Sequence, residues 1–139
     1  MKKILFILMM LLSFTVASAQ IQNYRTTAFA YATVNNGNYN WSDWEKSNII
    51  ITIDLNRDVI TIYSPSKQVY YVYNVANNGN SYTDSSGGKN VKFYIIDQDG
   101  DKGEIRLRIE TNGNSQLYVD FNNCAWVYNL IRVSWHKAL

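Results

Sequence analysis

Three acids alternate in the stretch "DQDGDKGE", residues 97 to 104: Asp97, Asp99 and Asp101. Alternating carboxylates are the opening of a calcium loop, which needs acids at positions 1, 3 and 5, Gly at 6 and a bidentate Glu at 12. Counted from Asp97, position 6 is Lys102 and position 12 is Arg108. A cation stands where the sharp turn is required, and the last ligand is basic. Asp and Gly are equally the residues of a tight hairpin corner, where charges are simply solvated. The stretch is therefore read as a corner, with weak calcium binding by the three carboxylates as the alternative.

Other reactive residue types are scarce. His136 is the only histidine and lies close to the C-terminus. A Ser-His-Asp or Cys-His arrangement would have to use it, and chain ends hold a base poorly against a nucleophile. Cys124 is the only cysteine, so the chain has no internal disulfide, and one His with one Cys falls short of a closed zinc site. At the start of an apolar run, Cys124 is expected to be buried. Asp54, Asp58, Asp84 and Asp120 include the types a glycosidase needs as a pair across a cleft, but no spacing selects two of them. There is no Gly-rich phosphate loop. The expectation is a protein without catalytic residues, metal or cofactor.

Aromatic residues carry the better signal, and eighteen of the twenty follow residue 19. Trp41 and Trp44 are three apart in "NYNWSDWEKS", where Ser42 and Glu45 have the spacing of a capping box. That predicts a short helical turn near residues 42–47 with both indoles on one side. Such rings either plug the end of a barrel or form a platform for a sugar ring or an apolar ligand. Tyr71 and Tyr73 in "QVYYVYNV" and Trp126 in "CAWVYNLIRV" complete the candidate ligand-binding set. Both stretches are apolar on two faces, which predicts a cover: a second sheet, the C-terminal tail with Trp135, or another protein chain.

These side chains must be positioned by strands. In "GEIRLRIET", Ile105, Leu107 and Ile109 alternate with Arg106, Arg108 and Glu110. A period of two is the strand period, and a helix would scatter those residues around its circumference. "NVKFYIID" before it and "SQLYVDF" after it alternate in the same way, giving a three-stranded antiparallel meander. Upstream, "NIIITIDLN", "VITIYS" and "QVYYVYNV" follow the same rule, with Pro65 confined to a turn. An early strand, "TTAFAYATV", and a late one, "CAWVYNLIRV", bring the number to about eight. The long polar segment "NNGNSYTDSSGGK" is read as a loop between two halves. The fold class is all-β, a single antiparallel meander of about eight strands closing as an up-and-down barrel, with a β-sandwich as the alternative. Closure is favoured because it leaves no sheet edge exposed.

The first residues have another purpose. Lys2 and Lys3 precede an apolar run from Ile4 to Val16, and Ala17, Ser18 and Ala19 are small. This is the layout of a secretory signal peptide, too short to span a bilayer. Residues 1–19 are assigned to it, and residues 20–139 form one domain without a transmembrane segment, exported to the periplasm or the cell exterior. Of the 13 Lys and Arg, Lys2 and Lys3 leave with the leader, so eleven cations remain against 11 acids. A neutral chain has no electrostatic footprint for nucleic acid.

Signal peptide, Trp-bearing segment after the first strand, then antiparallel meander: this arrangement resembles the calycin (lipocalin-like) barrels. It is also similar to the small secreted β proteins of gut Bacteroidetes. Lipocalins carry Gly-x-Trp on the first strand, and the nearest counterpart is Gly37-Asn38-Tyr39-Asn40-Trp41, which is spaced more widely. The resemblance implies a fold and assigns no functional residue. The functional expectation is a secreted, non-enzymatic binding module for a small apolar ligand, a glycan or a protein partner, a second copy of the chain included. A structural or assembly subunit is the second reading, and a two-carboxylate hydrolase the third.

Overall fold

In the computed structural model, residues 21–133 are described. The proposed leader (1–19), Trp135 and His136 lie outside the described residues. Among the described residues eleven strands follow one another: β1 (Ile21–Asn35), β2 (Asn38–Trp41), β3 (Glu45–Lys46), β4 (Ile50–Asp54), β5 (Val59–Ile62), β6 (Gln68–Val75), β7 (Tyr82–Thr83), β8 (Lys89–Ile96), β9 (Lys102–Ile109), β10 (Ser115–Asp120) and β11 (Cys124–Val133). Ala76–Gly79 form a tight turn after β6 in which Asn77 and Asn78 both have φ of 55°.

Eight of these strands form a closed antiparallel barrel in the order β1-β4-β5-β6-β8-β9-β10-β11, and β11 returns to pair with β1. The expected closure is what forms. β2 and β3 pair with the upper and middle parts of β1, and β7 pairs with β8. β1 can serve so many partners because it is 15 residues long and changes register between Thr26 and Ala28. One edge of it takes β4, β3 and β2 in turn, while the other takes β11. The bulge at Thr27 increases the twist and re-aims the side chains beyond it.

The lumen is filled. Ile51, Ile53, Ile60, Ile62, Ile95, Ile105, Leu117 and Val119 are essentially without solvent contact, and Tyr24, Tyr70, Phe93 and Tyr128 join them. These are the inward positions of the two-residue alternation. One rim is closed by rings: Phe121 stacks on Trp126 at 5.9 Å, and Tyr70 lies 6.3 Å from Phe121. Gly103 makes this possible. A Cβ there would sit 2.6 Å from the Asp120 carbonyl oxygen and 2.8 Å from the Phe121 ring.

The turns explain the Asp and Gly pattern. Asn36 and Gly37 both have positive φ, 51° and 79°, the two-residue turn whose twist matches that of the strands it joins. Three further turns share one design. The N–H of Gly87, Gly100 and Gly113 donates to the carbonyl of Asp84, Asp97 and Glu110, and each glycine has φ near +88°. The Asp97 carboxylate accepts the N–H of Asp99 at 2.9 Å and of Asp101 at 2.8 Å. The acidic stretch is thus the corner that links β8 to β9.

The helical turn expected near residues 42–47 does not form. The Ser42 N–H donates to the Tyr31 carbonyl, and the Ser42 hydroxyl accepts the Tyr31 N–H at 2.9 Å. Glu45 and Lys46 then pair with Phe29 and Ala28. A helix of one turn must meet the cost of its nucleus alone, whereas the free edge of β1 offers ready-made partners. Ser42 therefore serves as a ladder rung instead of a cap.

Candidate functional site

The five candidate aromatics lie in three places. Trp126 is partly buried among the rings at the closed rim, and its Nε1 is buried without a hydrogen-bond partner. Burial pushes the neighbouring Tyr128 phenol above its ordinary value, opposed by Gln68 and Trp126. Tyr71 and Tyr73 are about half exposed on the outer side of β6. Tyr73 packs 6.4 Å from Tyr94 under the Lys102 ammonium at 5.5 Å. The cover expected over this face of β6 is not found among the described residues.

Trp41 and Trp44 are brought together. They are 41% and 49% exposed, so neither plugs the barrel. Both line a cleft of about 280 Å³ on the outer wall, with Ala30, Ser42, Tyr118 and Val127. Its construction follows from register. Directly paired residues of an antiparallel ladder project to the same face. Trp41 pairs with Ala32, Ala30 with Val127, and Val127 with Tyr118. Phe29 and Leu117 pack into the core, so Ala30, Ala32 and Tyr118 point outward.

The floor is small and buried: Ala30, Ala32, Ala125 and Val127 are all nearly inaccessible. The walls are rings. Tyr39 stacks on Trp41 at 5.9 Å and 15°. Opposite them, the Tyr118 hydroxyl donates to Gln116 at 2.9 Å, and the Arg106 guanidinium lies 4.2 Å over the Tyr118 ring. Arg106 is itself held by the Asn90 side-chain oxygen at 2.9 Å. Asp120, two residues past Tyr118 on the same outward face, pairs with Ala125 and with Glu104. Burial raises its carboxyl above the ordinary range, against the pull of Arg106. The arrangement can take one flat ring between indoles and phenol, with hydroxyl, guanidinium and carboxyl groups at its edge.

A second, shallower cleft of about 540 Å³ opens beside the bulge of β1, lined by Arg25, Thr26, Thr27, Lys46, Ser47 and Asn48. The buried Thr26 hydroxyl bridges to Ser47 at 2.7 Å and accepts the Ile49 N–H at 3.0 Å, which fixes the crossing from β3 to β4.

The acids considered for hydrolysis are dispersed. Asp54 accepts the N–H of Asn56 and Arg57 in its turn. Asp58 follows with φ of 55°. Asp84 is occupied by Arg108, Asn90 and two backbone N–H groups. Asp120 stands at the other end of the barrel from these turns. Cys124 is half-buried at the start of β11, and burial pushes its thiol up.

No known protein family, no curated protein and no solved structure matches this chain. Its site is read from geometry.

Sequence reasoning missed Tyr118, Arg106 and Tyr39. Tyr118 and Arg106 are outward positions in stretches whose alternation was visible, but which outward residues meet depends on strand order and register. Tyr39 lies in β2, a strand in a segment that was not expected to be one.

Proposed function

We propose that this chain is a non-enzymatic binding module that takes its ligand on the outer wall of the barrel, in the cleft between Trp41, Trp44 and Tyr118. One observation carries the reading: two large, costly indoles are held half exposed over a floor of buried small side chains. The lumen, where a lipocalin-like barrel would hold a ligand, is filled with aliphatic and aromatic side chains. A cleft of about 280 Å³ lies just below the usual range for drug-sized ligands and suits a single ring. The layout of residues 1–19 supports a role outside the cytoplasm.

Intrinsic fluorescence of the processed protein tests this against a panel of glycans and small apolar compounds. Binding should shift the Trp emission, and Trp44→Ala should raise Kd at least about tenfold, a loss of ~1.4 kcal/mol or more. Tyr71→Ala, on the distant wall, should leave Kd unchanged. Equal loss in both variants, or no ligand at all, would count against the cleft.

A second reading concerns the other wall. Tyr71 and Tyr73 present adjacent half-exposed rings on β6, a surface suited to a protein partner or a second copy. Sedimentation across a concentration series tests it, with Tyr73→Ala abolishing any association.

A further inference from the structure

The geometry points to an acidic oligosaccharide as the ligand, one ring held in the Trp41–Trp44 cleft and a carboxylate or sulfate on a following unit held by Arg25 and Lys46. This rests on the proposed binding role of the aromatic cleft and goes beyond it by naming the ligand's charge and direction.

The two clefts lie on one wall and share one flank. Tyr24 and Thr26 are buried, so Arg25 between them projects outward. Lys46 pairs with Ala28, which is outward because Phe29 packs into the core. Trp41 pairs with Ala32, outward by the same rule. Along this flank the order is Trp41, Trp44, Lys46 and then Arg25. Trp44 and Lys46 are two residues apart, about 7 Å at the rise of an extended chain. A ligand that leaves the aromatic cleft along β1 therefore meets the basic cleft at once. Ala28, Ala30 and Ala32 keep the path between them low.

Charge sets the direction. Among the described residues, neither Arg25 nor Lys46 is held in an ion pair, unlike Arg108 and Lys92. Both line the second cleft together with Thr26, Thr27, Ser47 and Asn48, which are neutral and polar. At the aromatic end Asp120 lies on the outward face two residues past Tyr118, a hydrogen-bond acceptor for sugar hydroxyls and a repellent for an anionic substituent. Glu45 pairs with the inward-facing Phe29 and so lies on the alternate face from Lys46. Asp43, in the link between β2 and β3, stands between Ser42 and Trp44 of the aromatic cleft and adds a second negative charge at that end. An anionic group is thus favoured at the Arg25–Lys46 end and opposed at the other. A purely apolar ligand would gain nothing from the second cleft.

The experiment pairs acidic oligosaccharides with their neutral forms. Oligogalacturonate, oligomannuronate and sulfated oligosaccharides are each titrated against the methyl-esterified or desulfated counterpart by calorimetry. At least one acidic form should bind about tenfold more tightly than its neutral partner at low salt. That advantage should shrink as salt is raised, because exposed charges are screened. The Arg25→Ala/Lys46→Ala double variant should bind both forms with the neutral form's affinity, while Trp44→Ala should lose both. Equal affinity for acidic and neutral forms in the unaltered protein overturns the proposal and leaves the aromatic cleft standing. So does a charge advantage that survives in the double variant. Absence of binding by every form, neutral ones included, overturns the cleft itself and this inference with it.

Discussion

The Arg108 guanidinium reaches from β9 to the Asp84 carboxylate, Nε to Oδ2 at 2.8 Å, and ties the segment between β6 and β8 to the barrel wall. Asp84 also accepts the N–H of Ser86 and Gly88 and the Asn90 amide, each at 3.0 Å. Gly88 leaves the guanidinium its place, since a Cβ there would lie 2.6 Å from it. Asn90, fully buried, shares its other end with Arg106, so the anchor is continuous with the group stacked on Tyr118.

This anchor has a pH signature. Arg108 first, and Asn90 next, hold the Asp84 carboxyl well below the usual carboxylate range. A lowered folded value means the stabilisation is complete above the ordinary value near 4 and is lost as pH falls below it. Asp84→Asn should lower the melting temperature at pH 7. The gap between the variant and the unaltered protein should narrow steadily as melting is repeated below about pH 4.

Asp120 has the opposite sign. Burial raises its folded value, so ionisation opposes folding, and stability is lost as pH rises from the ordinary carboxylate value through the raised one. Asp120→Asn should therefore melt higher than the unaltered protein at pH 7 and equal to it at pH 3. A variant that is less stable at pH 7 would mean that Asp120 is paired more strongly than its surroundings indicate.

Gly103 and Gly113 separate crowding from backbone strain. At Gly103 a methyl group meets a backbone oxygen and the Phe121 ring, neither of which has room to yield. Gly103→Ala should cost about 1–3 kcal/mol through overpacking. At Gly113 nothing lies within 4 Å, and only its φ of +88° resists a side chain. Gly113→Ala should cost about 1–2 kcal/mol, and Gly113→Asn less, since Asn tolerates that region. Urea unfolding of the three variants gives the comparison.

Thr26 stitches the barrel where β1 changes register. Thr26→Val keeps the shape but leaves the Ile49 N–H and the Ser47 hydroxyl without their partner. The expected loss is about 1–3 kcal/mol in urea unfolding with an unchanged m value. If Thr26→Val unfolds at the same urea concentration as the unaltered protein, these groups have found water instead.

The eight barrel strands and the all-β class were legible because alternation is a local property: Ile105, Leu107 and Ile109 announce their face without reference to any other strand, whereas the short strands β2, β3 and β7 were not. The corner at Asp97 was legible for the same reason, as Asp and Gly act on their own backbone. Residues 42–47 were not. Ser42 and Glu45 satisfy the local rule for a helix start, but the unpaired edge of β1 competes for the same backbone groups, and that edge exists only in the folded chain. The site was half legible. Trp41 and Trp44 could be chosen for their proximity, whereas Tyr118 joins them through pairings that run from β10 across β11 to β1.

The hydrogen-bonded seam between β1 and β11 joins the first strand of the barrel to the last. As the chain folds, the edge of β1 that takes β11 must stay open until β11 is present. The wall that carries the aromatic cleft is completed only then, because Val127 and Ala125 belong to β11. A prematurely terminated product should therefore lack the cleft and expose two adhesive margins, one on β1 and one on β10.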